Sequence, residues 1–249
     1  MRSVIAIALH KRCPLPDDPL YLPVQAGAAL HADLGVTRDD TGDHISPRNP
    51  LYCELTAHYW LWRNAGADAY GLCHYRRYFT QKPFGRSLNS ALTAPELDRL
   101  LAGTDVLVPR PRLYLIETNY SHYAHAHRAR DLDLTREIIV ERYPDFLPAF
   151  DRVMKRRWGR RFNMFIMRRE PFEAYSAWLF DILFELERRL GTDAPPRVCG
   201  YIAERLMDVW LEKERPRLRE LRVLHTESQH WPRKIAAFLR RKLTGNVNN

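Results

Sequence analysis

Asp68-Ala69-Tyr70-Gly71-Leu72-Cys73 runs directly into His74-Tyr75-Arg76-Arg77-Tyr78-Phe79. The first six residues are apolar enough to form a buried strand, and the next six set two guanidinium groups, an imidazole and two phenols at its carboxyl end. Open α/β sheets bind ligands at that end of their strands. Adjacent arginines there offer forked donors to a diphosphate, and tyrosines offer flat faces to a base or sugar. The same pair also reads as a surface strand edge with exposed ion pairs. The buried character of the preceding strand favours a site.

Outward from this stretch, Val4–Leu9 is a second apolar run, ending at His10-Lys11 in a loop whose two basic groups suit phosphate. A helix is expected near residues 24–31, then a turn-rich loop over 38–47, then a helix over 51–63 opened by Asn49-Pro50 and closed by Asn64-Ala65-Gly66. Thr93 is placed to cap a helix over 94–102, and a strand over 105–108 feeds Pro109-Arg110-Pro111-Arg112. Residues 114–127, dense in Tyr, His and Asn, read as a binding loop. Helices follow over 134–143 and 145–156, a strand over 162–167, helices over 171–190, 198–213 and 231–243, and a short strand over 221–224. Strands alternating with helices imply an α/β domain with a mostly parallel central sheet and a helical C-terminal extension. The economical division is one domain over 1–225 and a basic amphipathic tail over 226–249.

The 249 residues, 45% hydrophobic and 28% charged, exclude a collagen-like or wholly disordered chain. The net charge of +9 is uneven: residues 1–150 carry 17 basic and 17 acidic side chains, residues 151–249 carry 22 and 13. The excess therefore lies in the C-terminal part and suggests an anionic ligand or surface there. Apolar runs too short to span a bilayer, and a short apolar start, point to the cytoplasm. The cysteines at 13, 53, 73 and 199 form no metal or disulfide pattern. The basic charge also fits a nucleic-acid binder, but no helix-turn-helix, RRM or zinc signature accompanies it. Ile235, Phe238 and Leu239 share one face of the tail helix beside Trp231, with Arg and Lys around them, which suits peripheral contact with an anionic membrane. A solvated helix packed on the domain is the alternative.

Several side chains are candidates for chemistry. Asp39, Asp40 and Asp43 could hold ribose hydroxyls, an acceptor sugar or a hard cation, or simply make a turn. Glu54 lies beside aromatics on its helix, with His58 as an i,i+4 structural partner. Glu117, Asn119, Tyr120, His122, Tyr123, His125 and His127 crowd one segment. Its mixture of flat rings and polar groups suits a sugar acceptor better than a metal, because the histidine spacing fixes no known geometry. Asp131-Leu132-Asp133 follows no apolar strand and reads as a helix cap.

The strings DDTGDHIS (39–46), NPLYCELTAHYWLWRN (49–64), GLCHYRRYF (71–79), LVPRPRLYLIETNYSHYAHAH (107–127), FNMFIM (162–167) and YIAERLMDVWL (201–211), in that order along the chain, resemble one family. It is the bacterial capsule and O-antigen glycosyltransferases bearing the domain-of-unknown-function label 4422. The resemblance runs from the first strand to about Leu211. It implies a GT-A-type fold and inverting transfer, with galactofuranose moved from its UDP donor to a glycan or lipid-linked acceptor. In most GT-A enzymes an Asp-x-Asp ends the corresponding strand and holds a divalent cation on the donor diphosphate. Here His74-Tyr75-Arg76-Arg77 stands in that place, so a metal cofactor is not expected to be required. Donor contacts are expected from His10, Lys11, Asp40, Glu54, His74, Tyr75, Arg76 and Arg77. Acceptor contacts are expected from Tyr120, His122, Tyr123, His127, Asn163 and Arg205. Inverting transfer needs a carboxylate base. Glu204 falls where several GT-A enzymes put one, with Glu117 and Asp43 as the other candidates. An ion pair of Glu204 with Arg205 or Arg197 is the structural rival.

Overall fold

In the computed structural model the structure describes residues 1–85 and 87–227. The tail helix over 231–243, and all of the expected tail beyond residue 227, lie outside the described residues. The chain forms one mixed α/β domain. Strands β1 (Ser3–Leu9), β2 (Tyr21–Gln25) and β3 (Thr37–Arg38) are parallel, and helices α1 (Asn49–Tyr52) and α2 (Leu55–Asn64) lead to β4 (Ala69–His74), which lies parallel to β1. Hairpin strand β5 (Arg77–Thr80), α3 (Ala94–Leu101), β6 (Val106–Pro109) and β7 (Arg112–Leu113) follow. Next come α4 (Asn119–Ala126), α5 (Ala129–Arg142), α6 (Leu147–Lys155), β8 (Trp158–Gly159), β9 (Phe165–Arg168), α7 (Arg169–Leu190), α8 (Val198–Glu214) and β10 (Leu218–His225).

The eight-stranded sheet runs β3-β2-β1-β4-β5-β10-β6-β9, and β9 also pairs with β4, so the far half curls back on itself. It is mixed rather than mostly parallel: β5 and β9 are antiparallel to their neighbours. The reason is local. Tyr75 and Arg76 form a two-residue reversal between His74 and Arg77, which turns the chain back instead of sending it through a crossover helix.

β1 is buried on both sides by its alternation. Ala6 and Ala8 meet the large helical layer, while Ile5, Ile7 and Leu9 meet the α3 side. The strand register leaves no room at Gly71, where an added Cβ would lie 2.9 Å from Ile5 Cγ1, 3.0 Å from Ile166 Cγ1 and 3.2 Å from the Phe165 carbonyl. Thr93 caps α3 as expected, in a reciprocal box with Glu96.

Four expected elements differ. The helix expected over 24–31 is the end of β2 plus a single 3-10 turn, because Val24 is buried in the sheet and buried Asp39 takes the Gly27 and Ala28 N–H groups. The helix over 51–63 is broken at Cys53 (φ 52°), where Asn49 donates to the Cys53 carbonyl. The binding loop over 114–127 contains helix α4, capped by Thr118 and anchored by buried Asn119 and Tyr123. Asp131 lies inside the first turn of α5, buried and paired with Arg128, rather than capping a helix at 134. No described helix is long and apolar enough to cross a membrane.

Candidate active site

The carboxyl ends of β1 and β4, in register at Ala8 and His74, form one wall of a cleft of about 690 Å³. The opposite wall comes from the amino end of α8, the carboxyl end of α4 and the turn before β9. Six arginines line it (76, 77, 112, 161, 197 and 205) against two carboxylates, Glu54 and Glu204. That imbalance, inside a concavity, sets a strongly positive potential for an anionic ligand.

The two carboxylates are held by one strained turn. Phe162 and Asn163 both adopt left-handed backbone (φ 82° and 49°), each at a cost of about 1–3 kcal/mol that the surroundings must offset. Glu204 Oε1 accepts the Phe162 N–H at 2.9 Å, and His74 Nε2 donates to the Phe162 carbonyl. Asn163 Nδ2 donates to Glu54 Oε1 at 2.8 Å and to the Gly200 carbonyl at 3.0 Å. Glu204 Oε2 takes Arg205 at 2.9 Å, so both of its oxygens are engaged. Glu54 Oε2 has no hydrogen bond among the described residues. The break at Cys53 is what turns Glu54 into the cleft, and Cys53 itself, pushed up to about 11 by burial, stays a thiol.

On the strand wall, Arg77 stacks over Phe162 at 4.2 Å, and its pKa is lowered by burial and by neighbouring Arg76. Arg76 lies over Tyr75 and is paired with Glu227 at 3.3 Å; Lys11, at the rim, pairs with the same Glu227 at 3.2 Å. His10, edge-on to Tyr75, has its pKa lowered by burial and then by Lys11 and Arg76.

On the helical wall, His122 stacks on Tyr114 with ring centroids 4.5 Å apart and accepts from Arg161. Burial, Arg161 and Arg205 push its pKa down to about 4, so it is a neutral acceptor at pH 7. His127 stacks on Tyr201 at 4.0 Å and is shifted down by burial and Arg205. Arg205 is buried, with its Nε unpartnered.

The cleft thus gathers Glu54, Glu204, His10, His74, Tyr75, Arg76, Arg77, His122, His127 and Arg205 from the expected set, with Asn163 directly beneath. Lys11 stands at its edge. Besides Asn163 and Lys11, five expected residues do not line it. Asp40 is clasped by Arg38, and Asp43 by Arg63 and Tyr59 on the outer side of α2. Glu117 is paired with His125, Tyr120 with Asp133, and Tyr123 is buried under Arg205. The i,i+4 pairing of Glu54 with His58 does not form, because His58 is fully buried against Ser176. Sequence reasoning missed Arg112, Arg161, Arg197 and Tyr201 as cleft residues. Among the described residues no group of three or more His, Cys, Asp or Glu is arranged to hold a metal ion.

The fold is similar to the apo structure of the WbbM bifunctional glycosyltransferase, at 30% identity and a TM-score of 0.84. The likeness covers 92% of this chain and 46% of that one, so this chain spans about half the length of the protein it resembles. No curated protein matches it. The family model described as "Domain of unknown function (DUF4422)" matches residues 4–215, and the chain belongs to that family.

Proposed function

We propose that the chain is a GT-A-type glycosyltransferase that moves a sugar from a nucleoside-diphosphate donor to a glycan acceptor. The observation that carries this reading is the cleft itself, with its arginine pair at the parallel strand ends facing two carboxylates across a strained turn. UDP-galactofuranose is the donor we favour, with inversion at the anomeric carbon, in the synthesis of a capsule, O-antigen or exopolysaccharide.

In this mechanism Arg76 and Arg77 neutralise the diphosphate as the glycosidic bond breaks, the charge developing where forked donors already stand. Six guanidinium groups around two carboxylates, of whose four oxygens only Glu54 Oε2 is unengaged, do not suit a divalent cation, so the arginines take the part a metal plays elsewhere. The acceptor lies along the His122–His127–Tyr201 wall, and its hydroxyl oxygen attacks the anomeric carbon while a carboxylate removes the proton. Glu54, with a free oxygen, is better disposed for that step than Glu204, whose oxygens hold the Phe162 turn and Arg205. Glu204 then acts as a positioning residue.

The test is a thermal-shift panel in EDTA, followed by turnover. UDP and UDP-sugars should raise the melting temperature more than UMP or ADP, and donor should be consumed without added metal. Absence of stabilisation by any nucleoside diphosphate would reject the reading, and turnover lost to chelator and restored by manganese would reject the arginine mechanism.

A further inference from the structure

Beside the cleft, sharing Arg112, Arg161 and Phe162 with it, lies a second groove of about 340 Å³. Lys82, Arg110, Arg222 and His225 also line it, and no Asp or Glu does. Among the described residues Lys82, Arg110 and Arg222 make no ion pair; Lys82 and Arg222 donate only to backbone carbonyls. Arg161 has a buried, unpartnered Nε. Arg112 and Arg161 repel one another across the groove, with burial and that repulsion lowering the Arg112 pKa.

The rim is apolar and turned outward. Phe84, between groove residues Pro83 and Gly85, is 91% exposed. Leu113, Leu115 and Ile116, which follow Arg112, are 74%, 80% and 69% exposed. Leu115 holds a left-handed backbone (φ 60°), a costly conformation for a leucine that gains no packing from it. Large exposed apolar side chains next in sequence to the residues of an acid-free cationic groove are the composition of an interfacial membrane contact. The arginines meet anionic headgroups and the apolar tips enter the acyl boundary.

We propose that Phe84, Leu113, Leu115 and Ile116 and this groove dock the protein on an anionic lipid bilayer, with the cleft opening beside the lipid headgroups. A soluble phosphate alone would explain the cations but leaves the four exposed apolar side chains unused. None of these residues belongs to the 228–249 segment, and the proposal does not depend on the identity of the donor.

The experiment is co-sedimentation of the full chain with phosphatidylcholine vesicles, with and without phosphatidylglycerol, at low and high salt. Phe84→Ser/Leu115→Ser/Ile116→Ser should weaken binding to anionic vesicles by at least about tenfold, given the transfer free energy of such side chains. Arg110→Ala/Arg222→Ala should weaken it several-fold and flatten its salt dependence. Both variants should keep the wild-type melting temperature and UDP-induced shift. Wild-type vesicle binding in the triple-serine variant would overturn the proposal. So would equal affinity for neutral and anionic vesicles, or loss of binding only in a full-length Arg240→Ala/Arg241→Ala/Lys242→Ala variant. Stabilisation by inorganic pyrophosphate through Arg110 and Arg222, without vesicle binding, would assign the groove to a soluble phosphate instead.

Discussion

Glu54→Gln separates the two carboxylates of the cleft. The amide keeps an oxygen for Asn163 Nδ2, at 2.8 Å from Oε1 in the native protein, so the Phe162–Asn163 turn should hold. What it loses is the ability to accept a proton, and removing a general base typically costs about 10²–10⁴ in rate, or roughly 3–5 kcal/mol of barrier. Glu204→Gln is the control with the opposite signature. It keeps an acceptor for the Phe162 N–H but strips the charge from a contact to Arg205, whose side chain is 4% exposed. A charge-assisted hydrogen bond of this kind is worth about 1.5–3 kcal/mol. At about 2–4 °C per kcal/mol for a domain this size, the melting temperature should fall by roughly 3–12 °C. The assay is initial-rate UDP release at saturating donor, with melting curves on the same samples. A Glu54→Gln enzyme with normal turnover, beside a Glu204→Gln enzyme slowed a hundredfold at unchanged melting temperature, would refute the assignment and return the base to Glu204.

Arg76→Ala and Arg77→Ala should each weaken UDP binding by about 1.5–3 kcal/mol, read by calorimetry. The loss should be smaller at Arg76, which is already shared with Glu227; wild-type affinity in both variants would remove the pair from the donor site. Gly71→Ala should destabilise the fold by about 1–3 kcal/mol in urea unfolding, because its Cβ meets Ile5, Ile166 and a backbone carbonyl. His58, buried among Phe165, Phe172, Tyr175 and Phe180, has its pKa pushed down to about 3 by burial. The folded state keeps it neutral, whereas the unfolded chain protonates it below about pH 6.5. Its stabilisation is therefore complete above that pH and falls on acidification toward pH 3, by about 2 kcal/mol at pH 5. Unfolding free energies for His58→Gln should show a shallower slope between pH 6.5 and 5, and an unchanged slope would disprove the linkage.

The strand wall of the cleft was legible because its signal is contiguous: an apolar run followed at once by His74-Tyr75-Arg76-Arg77 needs no partner to be read. The cap at Thr93 was legible for the same reason. The helical wall was not. Arg112, Arg161 and Arg197 lie far apart in sequence and look like ordinary surface charges until β7, the turn before β9 and the start of α8 bring them together. The break at Cys53 was hidden because a local side-chain bond, from Asn49 to the Cys53 carbonyl, and a tertiary one, from the Arg197 N–H to the Pro50 carbonyl, go with it. Helix α4 was mistaken for a loop because its polar rings disguise a helix buried only at Asn119 and Tyr123. The family resemblance supplied the carboxylate at 204. The structure adds that this group spends both oxygens on neighbours.

The position of β10 in the sheet bears on how the protein is made. This strand, at residues 218–225, inserts between β5 at 77–80 and β6 at 106–109, antiparallel to one and parallel to the other. During translation both of those older segments are out of the ribosome long before their shared neighbour exists. At about 5–20 residues per second the nascent chain carries two unpaired sheet edges for roughly 5–30 s, in reach of chaperones and of other copies of itself. A ribosome stalled before codon 218 would release a chain with the cleft's strand wall encoded in full and its sheet still open.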